Sequence, residues 1–398
     1  MKKNYLLVPL FLLINSLSAQ VIKSERTNIY RRSSICSFML DNVRFTLKVN
    51  SENTEMVKNI FLKAPLPEKF NDHNLSSRII NTEASSASRS KNALRQRDVE
   101  LTDINNFFET NQIAKKIVEK WFNRDTNGAF NTALIKERGY YDATALDLDL
   151  ANKTVRGIAL LGDAGEELIN NTFVIVNSYE YITVDPPNFD SNGQQIYKKG
   201  MGYEVFVKIY LFQLDWNKEI EQTFYNDYWC DNKTVTPSKK KLFDESNLFK
   251  LKYLGFNFKE VKTTDIYTSK SEFETWVRKS TIKTMDEVIV LLQKDFDAFK
   301  TKAPLNSVEP ITAKIGLKEG LTTKSIFEVL EQEIVKNGKT KYNVVGRVRV
   351  DDKYPIWDNR YGADEDKPKM TNNCTYFTKL SGEDFQPGML LVQKKEKK

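Results

Sequence analysis

The sequence predicts an α+β protein. A mixed central domain of long amphipathic helices and antiparallel strands precedes a small C-terminal β-barrel-like module of the SH3/OB kind. Three observations carry this. Within Ile311–Val350, Asn337-Gly338 separates two β-prone runs, and both residues tolerate the positive φ of a tight hairpin turn. Two segments, Ile104–Phe122 and Phe273–Phe299, repeat apolar residues every three or four positions, as an amphipathic helix does. Beyond residue 311 several short β runs alternate with Gly and Pro turns, the pattern of a small barrel or sandwich.

In chain order, Lys2 and Lys3 precede an apolar run, Tyr5–Ile14, and a short polar stretch ending at Ala19. Residues 1–19 read as a secretory signal peptide, cleaved to leave Gln20 first. The first cysteine is Cys36, so no lipid anchor is expected at the new N-terminus, and no later apolar run is long enough to cross a membrane. The expectation is export to the periplasm or to an outer-membrane-associated site. Of the +7 formal charge, two belong to the leader lysines, and much of the rest lies in Lys239–Lys241 and Lys394–Lys398. Runs of that kind are solvated faces rather than a nucleic-acid groove. With 40% hydrophobic residues the chain has the material for a sizeable core.

Cys36, Cys230 and Cys374 fit no zinc spacing. Export permits one disulfide among them, and the sequence does not choose a pair. His73 is the single histidine, which removes every site that needs two imidazoles. It stands in the polar stretch PEKFNDHNL, where a solvated or capping role is expected.

Residues 20–80 form a β-prone segment with runs at Ser34–Val49 and Lys58–Lys63. Residues 81–100, NTEASSASRSKNALRQRDVE, are polar and Ser-rich and read as a linker or exposed loop. The central α+β domain spans 101–310. Its first helix is expected to start at Asp103 as N-cap, with Ile104, Phe107, Phe108, Ile117, Val118 and Trp121 on one stripe. Asp163 and Glu166 have capping-box spacing, which explains them better than a metal site does. Thr172–Val184 and Tyr203–Trp216 read as a long hairpin with a wide tip, and Leu248–Val261 as a further strand. Ser271 and Glu274 form a capping box that opens the longest helix, which Ala303-Pro304 ends. The C-terminal module spans 311–398, with later strands at Thr375–Leu380 and Met389–Val392.

Several stretches together resemble a group of exported proteins of Bacteroidota. They are APLPEKFNDHNL (Ala64–Leu75), KWFN…ERGYYDAT (Lys120–Thr144), GDAGEELINNTFVIVN (Gly162–Asn177), KIGLKEGL…GRVRV…IWDNRY (Lys314–Tyr361) and FQPGMLL (Phe385–Leu391). Gly316, Gly320 and the terminal GMLL run are also loosely similar to small β-barrel modules of envelope-assembly proteins such as the flagellar T protein. Neither resemblance implies an activity, and neither carries over a functional residue.

No P-loop, dinucleotide fingerprint, G-x-S-x-G or HExxH motif is present, and no cofactor or metal is expected. The favoured expectation is a non-catalytic cell-envelope protein that binds or scaffolds a protein partner. A glycan-binding module is the alternative, and a carboxylate-based hydrolase ranks behind both. Candidate contact residues are Tyr228 and Trp229, in an aromatic cluster with Phe224 and Tyr225, and Trp357, Asp358 and Arg360 in the PIWDNRY loop. Each set has a structural reading beside the functional one: an aromatic core under a loop, and a turn whose Asp and Arg satisfy local groups.

Overall fold

The computed structural model describes residues 32–45, 51–82, 93–141, 167, 169–184, 188–189, 191–192, 195–196, 202–262, 270–334, 340–360, 373–382 and 384–394. The leader, the Asp163–Glu166 pair and the Asn337-Gly338 turn lie outside them.

A mixed sheet is the centre of the molecule. Its strands run in the order β3 (Phe70–Asp72), β1 (Ser33–Leu40), β5 (Thr172–Val184), β8 (Gly202–Leu214) and β9 (Leu251–Lys262). Two short strands join it, β2 (Arg44–Phe45) on β5 and β4 (Ile79–Ile80) on β1. β1 lies parallel to β5, whereas β5–β8 and β8–β9 are antiparallel. β5 and β8 form the long hairpin that the sequence predicts, in register from Phe173 with Gln213 to Val184 with Gly202. Its wide tip carries a small ribbon of β6 (Asn188–Phe189) and β7 (Gln195–Ile196).

Helices cover both faces, which explains why β1 and β5 are apolar almost throughout rather than alternating. Cys36, Phe38, Val174, Val176, Tyr210 and Phe212 face one layer, built on α2 (Ala93–Thr110) and α3 (Ile113–Trp121). Ile35, Met39, Phe173, Ile175, Val207 and Ile209 face the other, built on α1 (Ser51–Lys63) and α7 (Lys270–Asp295). Between them in sequence come α4 (Ala133–Tyr141), α5 (Lys218–Thr223) and α6 (Pro237–Asp244).

The C-terminal strands close into a barrel, β10 (Ala303–Val308), β11 (Ile311–Ala313), β14 (Thr375–Gly382), β13 (Thr340–Val350), β12 (Ile326–Ile334) and β15 (Leu390–Gln393). Closure pairs the strands around the barrel, while the outer end of one hairpin, Glu331–Ile334 with Thr340–Val344, is paired on one side only. The core is Leu305, Phe327, Val329, Val348, Val350, Phe377 and Leu391. The two β runs flanking Asn337-Gly338 pair as expected, from Ile326 with Arg349 to Ile334 with Thr340, with a bulge after Val329.

Four expectations change. Lys58–Lys63 is the last turn of α1, because Val57, Ile60 and Phe61 share one helical face against the sheet. The helix expected from Asp103 starts at Ala93, ten residues earlier and within the stretch read as linker. Ala93, Leu94, Arg95 and Gln96 are strong helix formers, a propensity hidden by the polar, Ser-rich residues before them. Asp103 is therefore mid-helix, where its carboxylate accepts a hydrogen bond from Thr82 Oγ1. The barrel starts at Ala303 rather than 311, since Ala303 and Pro304 pair with Leu391 and Leu390, and the long helix ends at Asp295, ahead of the Ala303-Pro304 pair expected to stop it. The helix itself, Lys270–Asp295, is about 39 Å long at 1.5 Å per residue.

Candidate functional site

Around Tyr228 and Trp229 the chain builds a core. Asn217 caps α5 by accepting from the Ile220 N–H at 3.0 Å. The helix then widens into a π turn, Phe224–Tyr228, closed by the Trp229 N–H on the Phe224 carbonyl at 2.8 Å. That extra residue per turn buries Phe224 and leaves Tyr228 and Trp229 half-buried. Trp229 stacks on Phe130 at 6.0 Å and Tyr228 meets Phe243 edge-on at 5.9 Å. Both rings thus use their faces or edges on the core. Asp231 turns back on its own loop, and the Thr234 hydroxyl and two backbone N–H groups hold its carboxyl below the usual range.

The PIWDNRY loop is fastened to the barrel. Trp357 is half-buried, its N–H donates to Thr375 Oγ1 at 3.2 Å, and its carbonyl accepts from Leu317 at 2.9 Å. Asn359 accepts from the Lys318 N–H at 2.8 Å and donates to Glu319, which also accepts from the Gly316 N–H. A Cβ at residue 316 would lie 2.0 Å from the Trp357 carbonyl oxygen, so this close approach requires glycine. Gly320 follows in the left-handed region, φ 72, against Val290 of α7.

Asp358 and Arg360 form a bidentate pair, with Nε–Oδ1 at 2.8 Å and Nη2–Oδ2 at 2.7 Å. Asp358 is 6% exposed at its side chain and Arg360 44%, so the carboxylate is buried and the guanidinium faces outward. The pair holds Arg360 above its usual pKa. Arg360 lines a cavity of about 160 Å³ where the barrel meets α7, together with Lys259, Lys283, Asp286, Glu287 and Lys318. Lys318 approaches Asp286 at 3.9 Å and Lys259 approaches Glu287 at 3.8 Å. Burial pushes the Asp286 carboxyl up, against the pull of Lys318 and Lys69. Four cations against these carboxylates make the seam mildly basic, suited to an acidic group presented from outside.

A second, larger recess of about 320 Å³ lies between the end of α2 and the segment 246–251. Asn105, Phe108, Glu109 and Gln112 form one wall and Asn247, Phe249 and Lys250 the other. Gln112 joins α2 to α3 at φ 50, and its side chain makes no capping bond. A left-handed residue other than Gly, Asn or Asp carries a strain of about 1–2 kcal/mol.

Two buried polar clusters escaped the sequence. His73 is 0% exposed, not solvated. It stacks on Trp121 at 4.7 Å, lies 3.0 Å from the Ile117 carbonyl through Nε2, and 2.9 Å from Arg138 through Nδ1. Arg138 can only donate, so Nδ1 accepts and Nε2–H donates, which defines a neutral imidazole. Burial, then the nearby Arg138 charge, push its pKa well below the usual value. The Cys36 thiol donates to the His73 carbonyl at 2.6 Å, and burial pushes its pKa up to about 12. Cys36, Cys230 and Cys374 are all free thiols.

Glu100 is also 0% exposed, although it lies in the stretch read as linker. Its carboxylate accepts from Lys208 Nζ at 2.6 Å, Tyr210 Oη at 2.5 Å, Asn42 Nδ2 at 3.1 Å and Ser178 Oγ at 3.4 Å. The network is fully packed and ties α2 to the sheet. Among the described residues no group of three His, Cys, Asp or Glu side chains is arranged to hold a metal ion, and no helix is long and apolar enough to cross a membrane. The chain matches no protein-family model, and no curated protein is similar to it.

Proposed function

We propose that this is an exported, non-catalytic protein of the cell envelope that binds or scaffolds a protein partner through its C-terminal barrel. One observation carries the reading. Among the described residues the exposed large hydrophobics are Leu62, Leu242, Phe258, Val344, Tyr354 and Leu380, and the last three belong to the barrel module. Tyr354 also stacks on Tyr376 at 4.3 Å, which makes a rigid aromatic pair at the surface. Exposed aromatic and aliphatic groups on a small rigid module are what a protein interface uses as anchors. The seam between the barrel and α7 adds Lys283 and Arg360 as basic groups on the same module's border with the helix.

The test is site-specific photocrosslinking in cells, with the reactive residue at Val344, Tyr354 or Leu380, and at Leu242 as control. The expected result is one adduct of common mass from the barrel positions and none from Leu242, on a mature chain that begins at Gln20. Bait-only recovery from all four positions refutes the partner reading. A mature chain that retains Met1 refutes export.

A further inference from the structure

We propose that the recess between α2 and residues 246–251 is a binding site for a short neutral saccharide, separate from the barrel and independent of the partner reading. Its volume of about 320 Å³ falls at the small end of ligand pockets. Asn105, Glu109 and Gln112 follow one another at four- and three-residue spacing, so α2 and its junction present them on one side. Asn247 and Lys250 stand opposite. Among the described residues none of these five side chains has a hydrogen-bonding partner, so their donors and acceptors stay available to a ligand.

Ligand class follows from the groups. Three carboxamides each donate and accept, as vicinal hydroxyls do, and match them two bonds at a time. Phe108 and Phe249, each only 6% exposed, close the floor of the recess with apolar ring edges. Glu109 and Lys250 offset each other, and the Lys115 ammonium is engaged by the Asp244 carbonyl at 2.5 Å. The one positive charge in excess is that of Lys115, whose ammonium is turned to that carbonyl, so the groups left facing a ligand, Glu109 and Lys250, balance. The backbone at Gln112 would suit glycine, yet the position carries an amide that lines the recess.

The experiment is saturation-transfer NMR and calorimetry on the full mature chain with cellobiose, maltose and N,N′-diacetylchitobiose at millimolar concentration. The variants are Gln112→Gly, Asn247→Ala and, as a distant control, Trp357→Ala. Gln112→Gly relieves the positive φ, so it stays folded while it removes the amide. Binding of at least one disaccharide, weakened about tenfold or more by Gln112→Gly and by Asn247→Ala but not by Trp357→Ala, supports the site. Absence of binding by all three sugars overturns it. So does binding that Gln112→Gly leaves unchanged, or that only Trp357→Ala weakens.

Discussion

Removing the Glu100 carboxylate is the sharpest test of how the helical layer is held to the sheet. Glu100→Ala leaves the Lys208 ammonium 10% exposed and facing Tyr210 without its counter-charge. Breaking one half of a buried pair costs about 3–5 kcal/mol, because the remaining charge stays desolvated. Lys208→Met leaves the carboxylate with the Tyr210, Asn42 and Ser178 bonds, so its cost is smaller, about 1–3 kcal/mol. Glu100→Gln with Lys208→Met removes both charges and keeps the volume, so its cost falls well below the sum of the single changes. Urea unfolding followed by far-UV circular dichroism measures all the variants, and the cycle completed with Glu100→Gln yields a coupling of about 1–3 kcal/mol. Additive effects, each under about 1 kcal/mol, refute the argument, since they would place the pair in water.

Three further outcomes follow from geometry already described. His73 has a folded pKa below its unfolded value, so the unfolded chain takes up the extra proton as pH falls; stability is full above about pH 6.5 and declines below it, and His73→Gln flattens that decline in pH-dependent thermal melts. Cys36, buried and with its thiol pushed up to about 12, resists iodoacetamide in the native protein and reacts in urea, as peptide mass mapping will read; equal labelling in both states contradicts the burial. Gly316→Ala drives a methyl group into the Trp357 carbonyl and forces the loop from the barrel, a loss of about 1–3 kcal/mol seen as a lower Tm and a shifted Trp357 fluorescence.

Much of the architecture was legible because it is local. The β12–β13 hairpin, the β5–β8 hairpin and the long helix are each specified by patterns within a few tens of residues. The polar clusters were not, because their partners arrive from afar. Glu100 meets Asn42, Lys208 and Tyr210 at separations of 58, 108 and 110 residues, and His73 meets Arg138 at 65. One signal was present: the stripe through Ile104 and Phe108, extended back one turn, lands on Glu100. An acid that continues an apolar stripe marks a buried carboxylate as well as an early end to a helix. Of the candidate contact residues, Arg360 faces a cavity with five other charged groups, whereas Tyr228 and Trp229 rest on the aromatic core.

The place of β1 bears on the order in which the chain can fold. It is the first described strand, yet it lies inside the sheet, paired along one edge with β5 and held by the Asn177 amide on the Phe38 carbonyl across 139 residues. Closing a loop of that length is slow compared with forming local hairpins. A chain synthesised N-terminus first presents β1 long before its main partner exists. The central sheet stays unfinished until β5 and β8 have been made, so its closure waits on the middle of the chain.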